Sequence, residues 1–215
     1  QGTAYGLKAK LEKAGIKTVV NEVYPPDTTN FNTIAAKIAD SRADMVVGGT
    51  QYQDGVNLIV ALQQLNYQPK IAAFSTAPTN PEFSEAIGKK TEGILAPTGY
   101  TEKATFPSNV DFVKTYQAQF NHLPGEDEAN GYTTGQVAAA AVEAVGCVGQ
   151  GECQQKLVDW IRSHKIDTVV GPLSWDDKGR PKSAHMIQQY VDGEIQIVLP
   201  ESQKEADFLF PKPKW

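Results

Sequence analysis

The chain has 215 residues, is 40% hydrophobic and carries a net charge of −5. It has enough apolar material for a buried core and lacks the basic surface that phosphate backbones require, so nucleic acid is excluded as a partner. No apolar run approaches the roughly 18–20 residues of a membrane-spanning helix, and no charged-then-apolar leader opens the chain.

Residues 1–11 read as a helix, with Ala4, Leu7, Leu11 and Ala14 on one face. No strand or cap signal precedes it, so upstream residues are expected. Residues 17–24 are rich in β-branched side chains and read as a strand ending at Pro25-Pro26. Asp27, Thr28, Thr29 and Asn30 offer cap chemistry for a second helix, whose apolar stripe is Phe31, Ile34, Ala35 and Ile38. Residues 44–49 suit a strand buried on both faces. A helix over 55–66 points Ile59, Leu62 and Leu65 inward. A strand over 70–74, a short helix over 83–88 and a strand over 93–97 follow. This alternation implies a parallel sheet with helices on both faces.

Residues 101–107 read as a linker. Helices are expected over 109–120, 130–145 (rich in alanine, so that another element can pack close) and 154–164. The rest is β. One strand covers 168–173, a turn lies at Asp176-Asp177-Lys178-Gly179, and strands over 184–191 and 194–199 flank Asp192-Gly193, a two-residue hairpin signal. The apolar, proline-rich residues 208–215 are expected to lie extended on the body.

Cys147 and Cys153 flank a glycine-bearing loop with no further ligands at zinc spacing. Two readings stay open. Free thiols would suit the cytosol. A disulfide, worth roughly 2–3 kcal/mol for so short a loop, would favour a periplasmic or secreted setting. No phosphate-loop, HExxH or GxSxG motif is present, and Gly146, Gly149 and Gly151 follow a helix rather than a strand, so no cofactor and no metal is expected. His122, His164 and His185 fall in different elements.

What carries chemistry is topology. In an open parallel sheet, ligands bind beyond the carboxyl ends of the strands. Three such ends carry Thr50, Gln51 and Tyr52; Ser75 and Thr76; and Thr98 and Tyr100. Hydroxyls, an amide and aromatic rings suit a neutral polar or zwitterionic small molecule better than bond cleavage.

Several segments then resemble the periplasmic leucine/isoleucine/valine-binding family, the receptors of branched-chain amino-acid and amide ABC importers. They are Thr29-Asn30-Phe31, Asp44-Met45-Val46-Val47-Gly48-Gly49, Glu92-Gly93-Ile94-Leu95 and, most specifically, Asp167-Thr168-Val169-Val170-Gly171-Pro172-Leu173-Ser174-Trp175-Asp176-Asp177-Lys178-Gly179. The resemblance implies an α/β type I periplasmic-binding-protein fold with Rossmann-like lobes and parallel sheets, here as a partial chain. Residues 1–102 and 183–203 would form the second lobe, 103–182 the later half of the first, and 204–215 an extended tail. The early first lobe has no counterpart in the sequence and is left to another chain or to a disordered segment.

The resemblance also implies a ligand site. The family's aromatic position after the paired glycines matches Thr50, or Tyr52 if the loop shifts. Its acidic position for the α-ammonium group matches Ser75, which cannot neutralise an ammonium ion, so an amide, urea-like compound or carboxylic acid is less demanding. Glu126, Asp127 or Glu128 is the alternative source of that charge, and Asn130 matches a first-lobe contact. The implied partners are a small polar ligand and an ABC permease, and the implied place is periplasmic or extracellular, with an anchor in an absent N-terminal segment. Lobe closure would hinge at 99–104 and 182–184. A ligand-sensing regulatory domain on the same fold is the alternative, and a hydrolase is a third reading, without a nucleophile–base pair to support it.

Overall fold

The computed structural model describes residues 2–80, 82–183 and 185–215, with side chains from residue 6 onward. In chain order the elements are α1 (Gly2–Lys13), α2 (Asn32–Ser41), β1 (Met45–Gly48), α3 (Tyr52–Gln64), β2 (Ile71–Phe74), α4 (Phe83–Ile87) and β3 (Ile94–Thr98). There follow α5 (Pro107–Phe120), α6 (Glu126–Val145), α7 (Glu152–Ser163), β4 (Ile166–Thr168), β5 (Gly171–Trp175), β6 (Pro181–Lys182), β7 (Met186–Val191) and β8 (Glu194–Leu199). They make two units. The first runs to Pro97 and resumes over Met186–Trp215; the second is Thr98–His185.

The first unit is built on a five-stranded sheet in the order β1-β2-β3-β7-β8. β1, β2 and β3 are parallel, and β7 and β8 form an antiparallel hairpin. Alternation sends Val46, Ala72, Phe74 and Ile94 to one face, where Phe31, Ala35, Leu58, Ile59 and Leu62 of the helical layer cover them. Phe83, Ile59 and Leu62 are wholly enclosed, each contributing roughly 2–3 kcal/mol of apolar burial. The opposite face is covered, among the described residues, by the chain's end. Leu95, Val191 and Val198 there pack against Ala206 and Leu209 of the C-terminal tail.

That tail is tied down by its backbone. The buried Gln189 amide donates to the carbonyls of Gly93 (3.0 Å) and Leu209 (3.1 Å) and accepts the Leu209 N–H (2.8 Å). The Lys212 N–H reaches the Lys70 carbonyl at 2.8 Å, and the Trp215 indole N–H bonds the Tyr67 carbonyl. At the hairpin, Asp192 (φ 55°) and Gly193 (φ 81°) form the two-residue turn that the sequence signals. Glu92 accepts both of their N–H groups, at 2.9 and 3.2 Å.

Other sequence expectations change. Residues 17–24 form no strand. Val19 and Val23 stay about half exposed, and the segment's end is held by side chains: Glu22 on Lys37, and Tyr24 on Phe31 and Asp54. β-propensity is realised only through ladder partners and burial, and this segment has neither. β1 is not buried on both faces, because it is the sheet's edge and Val47 is 42% exposed. α3 ends at Gln64, so Leu65 turns outward. In α1, Leu7 and Leu11 are half-buried while Ala14 falls beyond the helix end. Gln1, the Ala4 side chain and Ala184 lie outside the described residues.

The second unit packs α5, α6 and α7 with a three-stranded antiparallel sheet, β4-β5-β6. The single strand expected over 168–173 is a hairpin. Thr168 pairs with Gly171 across a tight turn at Val169-Val170. Gly171 has φ 90°, and a Cβ there would lie 2.7 Å from the Phe106 ring. Val169 is completely buried and gives its N–H to Gln136. A continuous apolar run thus conceals a reversal that packing imposes. Asp176 shapes the next turn by accepting the N–H groups of Lys178 and Arg180, both at 2.9 Å. Those bonds and the Arg180 guanidinium hold its carboxyl below the usual carboxylate range.

Cys147 and Cys153 form a disulfide that joins the end of α6 to the start of α7. Closing so short a loop stabilises by about 2 kcal/mol. Reduction, or Cys153→Ser, should lower the second unit's urea midpoint accordingly; an unchanged midpoint would refute this.

Lys212 is buried and lies 4.1 Å from the centre of the Trp215 ring. Burial pushes its ammonium pKa down to about 8, against a smaller opposing effect of Glu92. A depressed lysine pKa means that the unfolded chain holds more protons between pH 8 and the ordinary lysine range. Stability should therefore rise with pH from about 8. Tyr190, raised by burial to about 12, acts with the opposite sign above its ordinary value of 10.0. Melting temperature should climb from pH 8 to about 10 in the parent and stay flat in Lys212→Met.

Candidate functional site

The carboxyl ends of β1 and β2 lie side by side because the strands are parallel and in register, Gly48 opposite Phe74. Their following loops are bonded to each other. The Ser75 N–H reaches the Gly48 carbonyl at 3.0 Å, and the Thr76 N–H reaches the Thr50 carbonyl at 3.2 Å. The Ser75 hydroxyl donates to the same Thr50 carbonyl at 2.7 Å. Five of the candidate residues, Thr50, Gln51, Tyr52, Ser75 and Thr76, therefore belong to one connected patch.

Two glycines allow the approach. A Cβ at Gly48 would lie 2.5 Å from the Phe74 ring, and one at Gly55 would lie 2.4 Å from Ala77 Cβ. Thr50 is buried at 1% exposure, with its Oγ1 enclosed beside the first turn of α3 and without a partner. Gln51 is the N-cap residue of α3, in extended conformation, and makes no side-chain cap bond. Tyr52 opens the helix and reaches the Glu82 carbonyl at 3.4 Å. Thr76 is exposed and Ser75 half-buried.

Asp54 was missed by sequence reasoning. It sits in the first turn of α3, accepts the Tyr24 hydroxyl and bonds the Gly55 N–H at 3.2 Å. An acidic residue in a helix's first turn is a recognisable stabilising signal, but its pairing with Tyr24 spans 30 residues and is set by tertiary packing. Burial foremost, then the bond to Asp54, raises the Tyr24 pKa far above the ordinary tyrosine range.

Tyr100 and Asn130 lie in the second unit. Tyr100 is buried with Phe112, Ala129 and Val169, its hydroxyl enclosed and unpartnered. Burial raises its pKa, with Glu102 and Glu128 adding to the effect. Asn130 is exposed on α6, its carbonyl taking the Thr134 hydroxyl at 2.9 Å. α6 begins at Glu126, earlier than the sequence suggests, because the Glu128 carboxylate reaches back to the N–H of the N-cap residue Gly125. Glu128 is thereby bound to the Gly125 N–H at 2.9 Å, while Asp127 is exposed. Glu126 accepts the Thr98 hydroxyl at 3.0 Å and the Gly99 N–H at 3.2 Å, which fixes the chain leaving β3. The buried Asn109 amide ties down the loop after it through the carbonyls of Glu102 and Ala104.

The histidines do not converge. His122 bonds the Leu123 carbonyl, His164 stacks on Trp160, and His185 is exposed. Among the described residues, no group of three or more His, Cys, Asp or Glu side chains could hold a metal ion. A shallow groove of about 340 Å³ runs beside Thr29, Asn30, Asn57 and Gln64, with Phe31, Val60 and Ala61 also in its lining, and contains none of the candidate residues.

Comparison with known proteins shows the family and the fold. A sequence profile described as periplasmic binding protein matches residues 1–194. An amino acid binding protein of Pseudomonas aeruginosa is 26% identical over 195 residues, covering 89% of this chain and 50% of that protein. A Leu/Ile/Val/Thr-binding protein of Salmonella typhimurium is 23% identical, covering 83% of this chain and 47% of its own length. The chain thus spans about half the length of the curated relatives it matches. Among solved structures, an ABC-transporter solute-binding protein from R. palustris in complex with benzoate superposes with a TM-score of 0.76 at 18% identity, over 98% of this chain and 57% of that one. That likeness shows the fold.

The close approach of the two loops yields a prediction. Replacing a helical glycine by alanine ordinarily stabilises a helix by up to about 1 kcal/mol. Gly55→Ala should instead lower the first unit's stability by about 1–3 kcal/mol, because the new methyl group overlaps Ala77. A urea midpoint equal to or above that of the parent would refute the contact.

Proposed function

We propose that this chain, which belongs to the periplasmic binding protein family, grips ligand as part of an extracytoplasmic solute receptor of an ABC importer. The ligand class is a small amino-acid-like molecule, amide or carboxylate. One observation carries this reading: two loops at the carboxyl ends of parallel strands, bonded through Ser75 and Thr50, gather hydroxyls, an amide and a phenol. The fold is that of the type I periplasmic binding proteins, an α/β architecture with a mostly parallel sheet.

Further support comes from relatives. The curated ones are named as amino-acid binding proteins, and one structural neighbour holds benzoate. The disulfide suits an oxidising compartment. In this reading the first unit is the main part of one lobe and the second unit part of the other, with a membrane permease as partner. The contacts proposed on the first unit are Thr50, Gln51, Tyr52, Ser75 and Thr76, and those proposed on the second are Tyr100 and Asn130. The role is capture without bond cleavage.

Calorimetry of the full-length receptor that this reading implies, against amino acids, amides, urea and small carboxylates, tests it. One class should bind saturably and raise the melting temperature, since ligand at 100 times its Kd stabilises by about 2.7 kcal/mol. No heat and no thermal shift across the whole panel would overturn the reading.

A further inference from the structure

The two bonded loops are rich in hydrogen-bonding groups and poor in charge. Residues 48–55 and 74–80 contain one carboxylate, Asp54, and no lysine, arginine or histidine. Asp54 is already engaged by the Tyr24 hydroxyl and the Gly55 N–H. Tyr24 in turn lies edge-on against the buried Phe31, at the core cluster to which α2 and α3 contribute.

The remaining field comes from α3. This 13-residue helix starts at Tyr52, inside the patch, and its first N–H groups have no side-chain cap. The free N–H groups at such an end favour an acceptor, while the Asp54 carboxylate in the same turn offsets part of the positive field. A second feature sits at the same turn: Thr50 Oγ1, on a residue 1% exposed, is enclosed there without a partner. Ser75 gives its proton to the Thr50 carbonyl, which also takes the Thr76 N–H, so that carbonyl is occupied. An ammonium ion placed on this patch would find hydroxyl lone pairs and a single carboxylate, Asp54, whose two oxygens already accept from Tyr24 and Gly55, so its desolvation there is poorly compensated.

We infer that the ligand presents no ammonium group to these loops. The class the patch selects is a small carboxylic acid or amide without an α-ammonium, whose uncharged or anionic oxygen faces the start of α3. This rests on the receptor reading of the same loops and narrows its ligand class.

Three probes sharing one carbon skeleton test it: 4-methylpentanoate, 4-methylpentanamide and leucine. Each is titrated into the 15N-labelled 215-residue chain while the amide signals of Thr50, Gln51, Ser75 and Thr76 are followed. The acid or the amide should shift them saturably, with leucine at least about tenfold weaker. Ser75→Asp should reverse that order by supplying a free carboxylate. Leucine binding tightest in the parent, and losing affinity in Asp54→Asn, would overturn the inference and assign the ammonium to Asp54. No shift at these four amides with any probe would also overturn it. The receptor reading is decided separately, by heat on the wider panel, and survives a result in which leucine is preferred.

Discussion

The loops that follow β1 and β2 can touch only because glycines occupy the contact points. Gly48 lets the Phe74 ring lie against the β1 backbone, and Gly55 lets the first turn of α3 settle onto Ala77. Parallel pairing brings both strand ends to the same edge. The Ser75–Thr50 bond then makes one surface of two loops. If either glycine gained a methyl group, α3 or the β2 loop would have to retreat by more than a bond's tolerance. The polar patch, its helix end and the enclosed Thr50 hydroxyl all depend on that fit.

The first unit secures this arrangement from the opposite end of the chain. The β7–β8 hairpin extends the sheet beside β3, and Ala206 and Leu209 of the tail pack on Leu95, Val191 and Val198. Gln189 is the fastening, since one buried amide satisfies both the Gly93 and Leu209 backbones. Sequence-distant segments thereby share one core, so the stability of the candidate site is tied to residues over a hundred positions away.

The second unit follows a different logic. Its helices are held by a disulfide at the α6–α7 corner and by polar side chains that grip backbone: Asn109 on the 101–104 loop, Gln136 on Val169 and Glu126 on the residues after β3. Such bonds fix loop shape where apolar burial is sparse, because an unmade buried hydrogen bond costs more than a made one gains. The absence of fully buried residues in α7 fits that picture.

Much of the architecture was legible in residue pattern. Periodicity placed α2, α3, α5 and α7 to within a few residues, Asp192-Gly193 fixed its hairpin, and the strand-end loops were identifiable as the polar surface. These are local properties, determined by a helix's 3.6-residue repeat, a strand's alternation and the positive φ that a tight turn demands. Tertiary structure decided the rest. Residues 17–24 have strand composition but no ladder, Val169-Val170 turns where an apolar run reads as straight, and Asp54 is committed to a tyrosine 30 residues earlier. Each depends on which distant group occupies the neighbouring space, and that information resides in the packed chain rather than in any window of sequence.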